Sequence, residues 1–271
     1  MPCVLSIGGL DPGGGAGILA DARGITQAGA FACAAVAVLT VQSTSGLRAA
    51  TPVPKSELIA ECNEVLKHQR VRAIKVGALG SDENARAIGD FLAIHRDIPA
   101  VVDAVMMPTR GRARLLDERA VGVLRDRVLG RAALVTVNAP EAEVLTGTRV
   151  TRLDEAHDAA HALLRQGCRA VLVKGGHLTG PHAVDLLAIA APETGPRIIE
   201  LTSPRLRLAP LHGGGCVLAS LVAGRLAVHA DDYAADPVRA LSDALRWSKK
   251  THHEALNRAA DIGGDLKVLF A

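Results

Sequence analysis

The chain has 271 residues, 49% of them hydrophobic, and a formal net charge of +3 at pH 7. These values fit one large globular domain spanning residues 1–271, with two smaller domains as the alternative. The small charge, with no block of like charges, argues against a nucleic-acid partner, and no apolar run is long enough to span a bilayer.

Strand-like and helix-like segments alternate along the chain. The first residues lack the basic region and cleavage site of a signal peptide, so they are interpreted as a strand. The predicted strands span residues 4–8, 33–40, 73–77, 100–103, 133–137, 170–174, 184–189 and 197–201. The predicted helices span residues 17–28, 57–69, 83–95, 117–129, 141–145, 154–166, 216–228 and 238–257. The last two strands are expected to form an antiparallel hairpin. Repeated strand-then-helix order with continuous apolar strands predicts an α/β fold with three layers, a mainly parallel central sheet flanked by helices on both faces.

In such a sheet, ligands bind beyond the carboxyl ends of the strands. The first such end, residues 8–17, has six glycines in ten residues. Asp11-Pro12 interrupts a dinucleotide fingerprint, and no Lys-Ser/Thr pair follows as in a phosphate-binding loop. The glycines indicate close backbone approach to a small molecule, or a flexible turn before the next helix. Gln42 follows the second strand, where its amide could pair with the edge of a heterocycle or lie in a surface loop.

A second glycine-rich turn, Gly213–Gly215, precedes Cys216 and a long apolar segment. The free N–H groups and dipole of a helix starting at Cys216 would form an anion site, which suits phosphoryl transfer to an alcohol. The same field is expected to lower the pKa of the Cys216 thiol. Simple packing is the alternative for this turn. His212 adjoins it and could line the site, whereas His252-His253 on the last helix are interpreted as solvated.

Polar side chains follow three further strands. Asp103 ends one strand, and Asn138 and Glu141 follow the next. One amide and two carboxylates suit a water-rich Mg²⁺ site, although Asn138 would also cap the following helix. Lys174, followed by two glycines, could contact nucleotide phosphates or lie in a solvated turn. The five cysteines are odd in number and form no CxxC pair, which favours reduced thiols in a cytoplasmic protein over disulfides or zinc.

Together these segments resemble the hydroxymethylpyrimidine and phosphomethylpyrimidine kinases of thiamin synthesis, within the ribokinase-like superfamily. The resemblance covers nearly the whole chain, because its carriers occur in consistent order. These carriers are residues 13–21, 37–44, 75–81, 102–106, 138–143, 173–177 and 212–216.

The resemblance implies an ATP- and Mg²⁺-dependent kinase, often a homodimer, acting on a pyrimidine alcohol and then on its monophosphate. It implies that Cys216 takes the hydroxyl proton in an anion hole formed by Gly213, Gly214, Gly215 and Cys216. The implied pyrimidine-binding residues are Gly9, Asp21, Gln42, Ala78 and Met106. The implied ATP-binding residues are Asn138, Lys174, Gly176 and His212, and the implied metal ligands are Asp103 and Glu141.

The chain departs from the family pattern at several positions. Gly214 stands where relatives carry a hydroxyl residue, and Ala78 stands where a methionine usually lines the pyrimidine pocket. The flap carries Arg110, Arg112 and Arg114, which could grip phosphate through their guanidinium groups or remain solvated.

These departures keep two alternatives open. The space at Ala78 suggests the same fold acting on a pyridoxal-like vitamer. The loss of the hydroxyl at Gly214 suggests a relative that binds a pyrimidine or nucleotide without catalysis. Because Gly214 still offers its backbone N–H, a working kinase is the favoured interpretation.

Overall fold

The chain folds around one large sheet. The structure is a computed structural model that describes residues 1–108, 110, 115–116, 118–191, 193–206 and 210–269. The strands are β1 (Cys3–Leu10), β2 (Phe31–Ser43), β3 (Gly46–Pro52), β4 (Val71–Val76), β5 (Ala100–Asp103), β6 (Leu134–Asn138), β7 (Ala170–Lys174), β8 (His182–Ile189), β9 (Arg197–Pro204), β10 (Leu211–His212) and β11 (Lys267–Val268). The helices are α1 (Gly17–Gln27), α2 (Lys55–His68), α3 (Asp82–Ile94), α4 (Glu118–Val123), α5 (Ala139–Thr146), α6 (Leu153–Arg165), α7 (Gly214–Val228), α8 (Ala230–Ala235) and α9 (Pro237–Asn257).

Within the described residues, nine strands form one sheet in the order β3-β2-β1-β4-β5-β6-β7-β8-β9. The strands from β2 through β7 in that order run parallel. The edges are antiparallel, because β3 pairs with β2, β8 with β7, and β9 with β8. The mainly parallel sheet and the predicted hairpin are therefore confirmed.

Helices cover both faces of this sheet. One hydrophobic cluster joins the sheet to α2, α3, α5 and α6, and a second joins it to α1, α7 and α9. Helix α7 is buried along 10 of its 15 residues, since it packs between the sheet and its neighbours α1 and α9. A helix that is apolar on all sides requires such a position. The three-layer prediction is confirmed, and the amino end of α7 lies near the strand ends.

The second strand is longer than predicted. Residues 40–46 were expected to be a loop, but β2 continues to Ser43 and returns as β3 after a turn at Gly46, whose φ is 122°. Gln42 therefore lies on a strand, opposite Leu47. The turn was hard to predict because β3 mixes polar and apolar residues without a clean alternation.

A single helix predicted over residues 117–129 is wrong. The described part contains α4, a π-helical turn at Leu124–Val128 and a 3₁₀ turn at Leu129–Arg131. This segment packs closely on α3, where a Cβ at Gly89 would lie 2.7 Å from the Arg127 carbonyl oxygen. The wider turn accompanies that close approach.

Two further properties concern membrane-spanning helices and the state of the cysteines. No helix among the described residues has both the length and the hydrophobicity to cross a membrane. All five cysteines carry free thiols.

Candidate active site

A cavity lies at the carboxyl edge of the sheet, beside the first turns of α1 and α7. It encloses about 400 Å³ when the open space at its mouth is included. The lining residues are Gly8, Gly9, Asp11, Ala16, Gly17, Asp21, Thr40, Gln42, Lys75, Gly77, Ala78, Val105, Leu115 and Cys216. Four of the five residues predicted for the pyrimidine pocket are among them, together with Cys216.

Met106 is the exception. It was predicted to contact the substrate, but its side chain is 2% exposed and belongs to the hydrophobic cluster beneath α2, α3, α5 and α6. The preceding residue, Val105, lines the cavity instead. The chain turns tightly after β5, where the Val105 N–H donates to the Asp103 carbonyl oxygen at 2.7 Å, and this turn places Val105 in the wall and Met106 in the core.

The second glycine-rich turn bends sharply into α7. Gly213 caps the helix with a φ of 78°, and a Cβ there would overlap the Gly15 carbonyl oxygen, so two constraints require glycine. The N–H groups of Gly214, Gly215 and Cys216 belong to the first helical turn and have no acceptor within the helix. A Cβ at Gly215 would lie 3.0 Å from Lys174 Nζ and 3.6 Å from Asp103 Oδ2. The turn therefore adjoins both the cavity and the charged groups described below.

The expected lowering of the Cys216 thiol pKa is wrong. Burial raises the pKa of Cys216 to about 12, Lys75 acts in the opposite direction, and the carboxylates of Asp103 and Asp21 raise it further. The free N–H groups of a helix start stabilise a thiolate only where it also retains solvation, and here the loss of water outweighs the local field.

A buried ion pair lies under the cavity. Lys75 Nζ is 2.7 Å from Asp21 Oδ2, and the hydroxyls of Ser6 and Ser220 donate to the same carboxylate at 2.7 Å each. Burial alone would lower the pKa of Lys75, but the charges around it, Asp21 first, raise it overall. A Cβ at Gly77 would lie 2.9 Å from the ammonium, so glycine leaves room for it.

The sequence predicts Asp21 in the pocket, but it does not identify Lys75, Ser6 and Ser220 as the partners of this carboxylate. The signal was present, because Lys75 interrupts an apolar strand and Ser220 interrupts an apolar helix. A charged side chain in a fully buried element requires a partner of opposite charge. What the chain alone could not identify is which carboxylate that partner would be.

A second charged cluster lies on the other side of the glycine turn. Lys174 Nζ is 2.7 Å from Asp103 Oδ1 and 3.7 Å from Glu141 Oε2, and the Thr136 hydroxyl donates to Asp103 at 2.7 Å. Burial tends to raise the pKa of Asp103, but Lys174 and Lys75 lower it overall. Burial raises the pKa of Glu141 to about 7, and Lys174 only partly offsets this. The predicted neighbours Asp103, Glu141 and Lys174 are thus brought together.

Asn138 also takes its capping role. Its Oδ1 accepts the Glu141 N–H at 2.8 Å, while Glu141 Oε2 accepts the Asn138 N–H at 2.7 Å, which forms a reciprocal capping box at the start of α5. Helix capping therefore fixes the position of Glu141 beside Lys174.

His212 lies beside Asp11 and Gln42, two residues of the cavity wall, rather than beside Lys174. Its ring is 3% exposed, with Nε2 2.8 Å from Asp11 Oδ2 and 3.3 Å from Gln42 Nε2. Asp11 also accepts the N–H groups of Gly13 and Ala16 at 2.9 Å each, so this first turn is held in place. The predicted contact of His212 with ATP is not supported by this position.

The loop after β7 is held from two directions. The Gly175 N–H donates to Asp185 Oδ1 at 2.7 Å. The Arg205 guanidinium donates to five carbonyl oxygens of the same loop, at distances of 2.7 to 3.4 Å. Gly176, predicted to bind ATP, is one of these acceptors and follows Lys174 by two residues.

Two side chains that were expected at the surface, His252 and Arg110, each have a protein partner. His252 was interpreted as solvated, but its Nε2 lies 2.9 Å from the Gly214 carbonyl oxygen, since α9 packs beside α7. In the flap, the Arg110 side chain lies 3.3 Å from Asp265 rather than free for a phosphate. Arg112 and Arg114 lie outside the described residues.

Comparisons with known proteins identify the family of the chain. The model of the family described as phosphomethylpyrimidine kinase matches residues 11–267. A hydroxymethylpyrimidine/phosphomethylpyrimidine kinase of Rhizobium meliloti is 38% identical over 225 residues, covering 82% of each chain. The thiamine biosynthesis bifunctional protein ThiED of Geobacter sulfurreducens is 36% identical over 260 residues, covering 96% of this chain and 50% of that protein. The chain thus spans about half the length of this bifunctional relative.

Solved structures show the same fold. Phosphomethylpyrimidine kinase from Clostridium difficile 630 aligns with a TM-score of 0.75 at 28% identity, covering 94% of this chain and 99% of that chain. Pyridoxal kinase of Bacillus subtilis, in an ADP complex, aligns with a TM-score of 0.86 at 22% identity, covering 99% and 96%. The second likeness extends to the fold alone.

Proposed function

The chain belongs to the phosphomethylpyrimidine kinase family, and from this premise we propose that it phosphorylates 4-amino-5-hydroxymethyl-2-methylpyrimidine and then its monophosphate, using ATP, in thiamin biosynthesis. One observation carries the proposal: the anion-binding turn at Gly213–Cys216 adjoins both a small-molecule cavity and a buried charged cluster. Cys216 lines the cavity, and a Cβ at Gly215 would lie 3.0 Å from Lys174 Nζ. An alcohol and a nucleotide phosphate could therefore meet at this turn.

The cavity suits a flat, partly polar ring. Ala78, Val105 and Leu115 supply apolar walls, and Gln42 supplies an amide that can both donate and accept hydrogen bonds. In this proposal the ring binds between these residues, and its hydroxymethyl group points toward Cys216.

The turn would stabilise the transferring phosphoryl group. Transfer through a loose transition state depends on positioning and on charge stabilisation more than on a strong base. The first-turn N–H groups of α7 and the Lys174 ammonium provide both in one place. We assign Cys216 the hydroxyl proton. Because burial raises its pKa to about 12, the thiol carries its own proton near pH 7, so it would accept the hydroxyl proton only as its own proton passes to a phosphate oxygen.

The charged cluster fits Mg²⁺. Asp103 and Glu141 are buried carboxylates that both approach the same ammonium, and hard oxygen donors of this kind hold Mg²⁺ together with substrate phosphates. When bound, the ion would neutralise the charge that develops on the phosphates. Lys174 would orient the phosphates, and Asn138 would keep Glu141 in place through the capping box.

We further propose that the chain acts as a single kinase unit and as a cytoplasmic homodimer. The dimer is supported by two exposed apolar side chains on the same face of β2, Leu39 and Val41, which are 50% and 59% exposed. Neighbouring exposed apolar side chains can mark an interface. Light scattering coupled to size-exclusion chromatography tests this, with Leu39→Glu expected to give monomers.

Mass spectrometry tests the principal function. Incubation with Mg-ATP and the hydroxymethylpyrimidine should give products with one and then two added phosphates. Absence of product at high enzyme concentration would remove the proposal.

One observation favours a second candidate function. Ala78 lines the cavity opposite Gly9, where a larger side chain would narrow it. The pocket could then accept a bulkier ring, such as a pyridoxal-like vitamer. Rates compared across pyrimidine and pyridine alcohols separate the two, and any turnover excludes a purely binding protein.

A further inference from the structure

His252 reaches the anion-binding turn from a different helix. Its Nε2 lies 2.9 Å from the Gly214 carbonyl oxygen. A carbonyl oxygen only accepts hydrogen bonds, so Nε2 must carry the proton in this contact. Burial lowers the pKa of His252 to about 4, against the opposing effect of Asp185, so the imidazole is neutral near pH 7. A neutral ring with its proton on Nε2 is a fixed single donor.

The acceptor oxygen belongs to the peptide group that links Gly214 to Gly215. The Gly214 carbonyl and the Gly215 N–H are the two ends of one planar trans peptide, so fixing the oxygen fixes the direction of the N–H. That N–H belongs to the first turn of α7, in a residue that lies beside the charged cluster, since a Cβ at Gly215 would be 3.0 Å from Lys174 Nζ and 3.6 Å from Asp103 Oδ2. His252 therefore sets the orientation of an anion-binding donor without touching the anion.

The helix already restrains this peptide once, because the Gly214 carbonyl accepts the Leu218 N–H as the first acceptor within α7. Glycine stands on both sides of the peptide, and it has the greatest backbone freedom of all residues. Apart from the backbone of α7 itself, the heavy atom within 4.0 Å of a Cβ at Gly214 is His252 Nε2. Within the described residues, α9 thus adds a second restraint on this carbonyl from outside α7.

The same helix also holds the neighbouring loop. One turn before His252, Lys249 Nζ lies 2.5 Å from Asp185 Oδ2, and Asp185 Oδ1 accepts the Gly175 N–H at 2.7 Å. α9 therefore contacts the anion-binding turn directly and the loop after Lys174 through one carboxylate. The anion-binding turn and the loop after Lys174 are thus both held by the same helix.

We propose that His252 is a positioning residue for phosphoryl transfer, which orients the Gly215 N–H by donating to the Gly214 carbonyl. The proposal rests on the proposed kinase function for its kinetic readout. It predicts that loss of the donor lowers kcat while the KM for the alcohol stays unchanged, because the cavity is not altered.

Kinetics of His252→Ala, His252→Gln and His253→Ala test the proposal. Removing one such donor typically costs about 10²–10³-fold in rate, and loosening it should cost less, so we expect a fall of about 10-fold or more for His252→Ala. His252→Gln retains an N–H donor and should recover most of the loss. His253→Ala is the matched control on the same helix and should stay within about two-fold of the parent.

Two outcomes overturn the proposal. One is a kcat within two-fold of the parent in a folded His252→Ala protein. The other is a loss that His252→Gln does not rescue and that follows a fall in Tm, since this marks a general structural role.

A second readout does not depend on turnover. In ¹⁵N-glycine-labelled protein, inorganic phosphate should shift the Gly215 amide resonance in the parent chain and in His252→Gln. The shift should be lost or strongly reduced in His252→Ala. If the parent chain shows no turnover, the kinase function fails, and this titration still decides the role of His252. An equal shift of the Gly215 resonance in the parent chain and in His252→Ala would overturn the positioning role of His252.

Discussion

Two lysine–aspartate pairs flank the glycine turn, and they differ in how completely each is enclosed. Lys75–Asp21 and Lys174–Asp103 both have a nitrogen–oxygen distance of 2.7 Å. The Lys75 side chain is 1% exposed, and its partner also receives the hydroxyls of Ser6 and Ser220. The Lys174 side chain is 12% exposed.

The second pair also carries an additional carboxylate. Glu141 lies 3.7 Å from Lys174, so one ammonium faces two acids. The first pair is balanced and closed, whereas the second adds a carboxyl group whose pKa burial raises to about 7, and a bound cation would favour its ionised form. Two lysine–aspartate pairs of equal length can therefore differ in role: one is a permanent part of the core, and the other is a site prepared for a charged ligand.

The largest expected effect concerns the closed pair. Lys75→Met leaves Asp21 buried and unpaired, and breaking a buried pair in this way typically costs about 3–5 kcal/mol. Chemical denaturation should show this loss, and Lys75→Met combined with Asp21→Asn should recover much of it. A single variant as stable as the parent would contradict the closed character of this pair.

The open pair should respond in activity rather than stability. Lys174→Met is expected to lower kcat by about 10²–10³-fold, the usual cost of removing one donor to a developing anion. Its free energy of unfolding should change less than that of Lys75→Met, because Lys174 is more exposed. Equal destabilisation by both variants would erase the difference between the two regions.

Cys216, which lies between the pairs, tests how the proton is handled. Cys216→Ser should lose most of kcat, by about 10-fold or more if the thiol assists proton transfer. The KM for ATP should stay nearly unchanged, because the backbone N–H groups remain. A kcat within a few-fold of the parent would mean that the backbone turn alone carries the chemistry.

The smallest expected effect is a pH dependence of stability. The folded pKa of Glu141, about 7, lies above its ordinary value of 4.5, so the folded state binds this proton more tightly than the unfolded chain. The contribution of Glu141 is therefore fully present below pH 4.5 and is lost as the pH rises through 7.

Urea denaturation at pH 5 and pH 8 with a chelator present checks this slope. Glu141→Gln keeps the capping group but removes the titration, so its stability should depend less on pH than that of the parent. If the free energy of unfolding changed equally with pH in the two proteins, groups other than Glu141 would be responsible for the change.

Local sequence signals identified much of the sheet and part of the site. Predicted strands 100–103 and 170–174 have the bounds observed for β5 and β7, because each apolar run ends at a charged residue. The capping role of Asn138 was recognisable because it precedes a predicted helix, whereas its reciprocal bond with Glu141 was not predicted. The Gly213–Cys216 turn was recognisable because three glycines precede an apolar helix.

Contacts between distant segments were not predictable in the same way. Lys75 and Asp21 are 54 residues apart, and His252 and Gly214 are 38 residues apart. Such pairs depend on strand order and helix packing, which the local pattern does not specify. Met106 and Val105 show the finer limit, since the exact turn of the chain after β5 decides which one faces the cavity.

The sequence by itself determined the order of strands and helices, the glycine turns, and the charged residues placed at strand ends. These depend on hydrophobic period, capping and backbone freedom, which act over a few residues. Only the tertiary structure decided which charges pair and which proton affinities result. Burial, rather than the helix field, sets the pKa of Cys216, because solvation depends on everything that packs around the thiol.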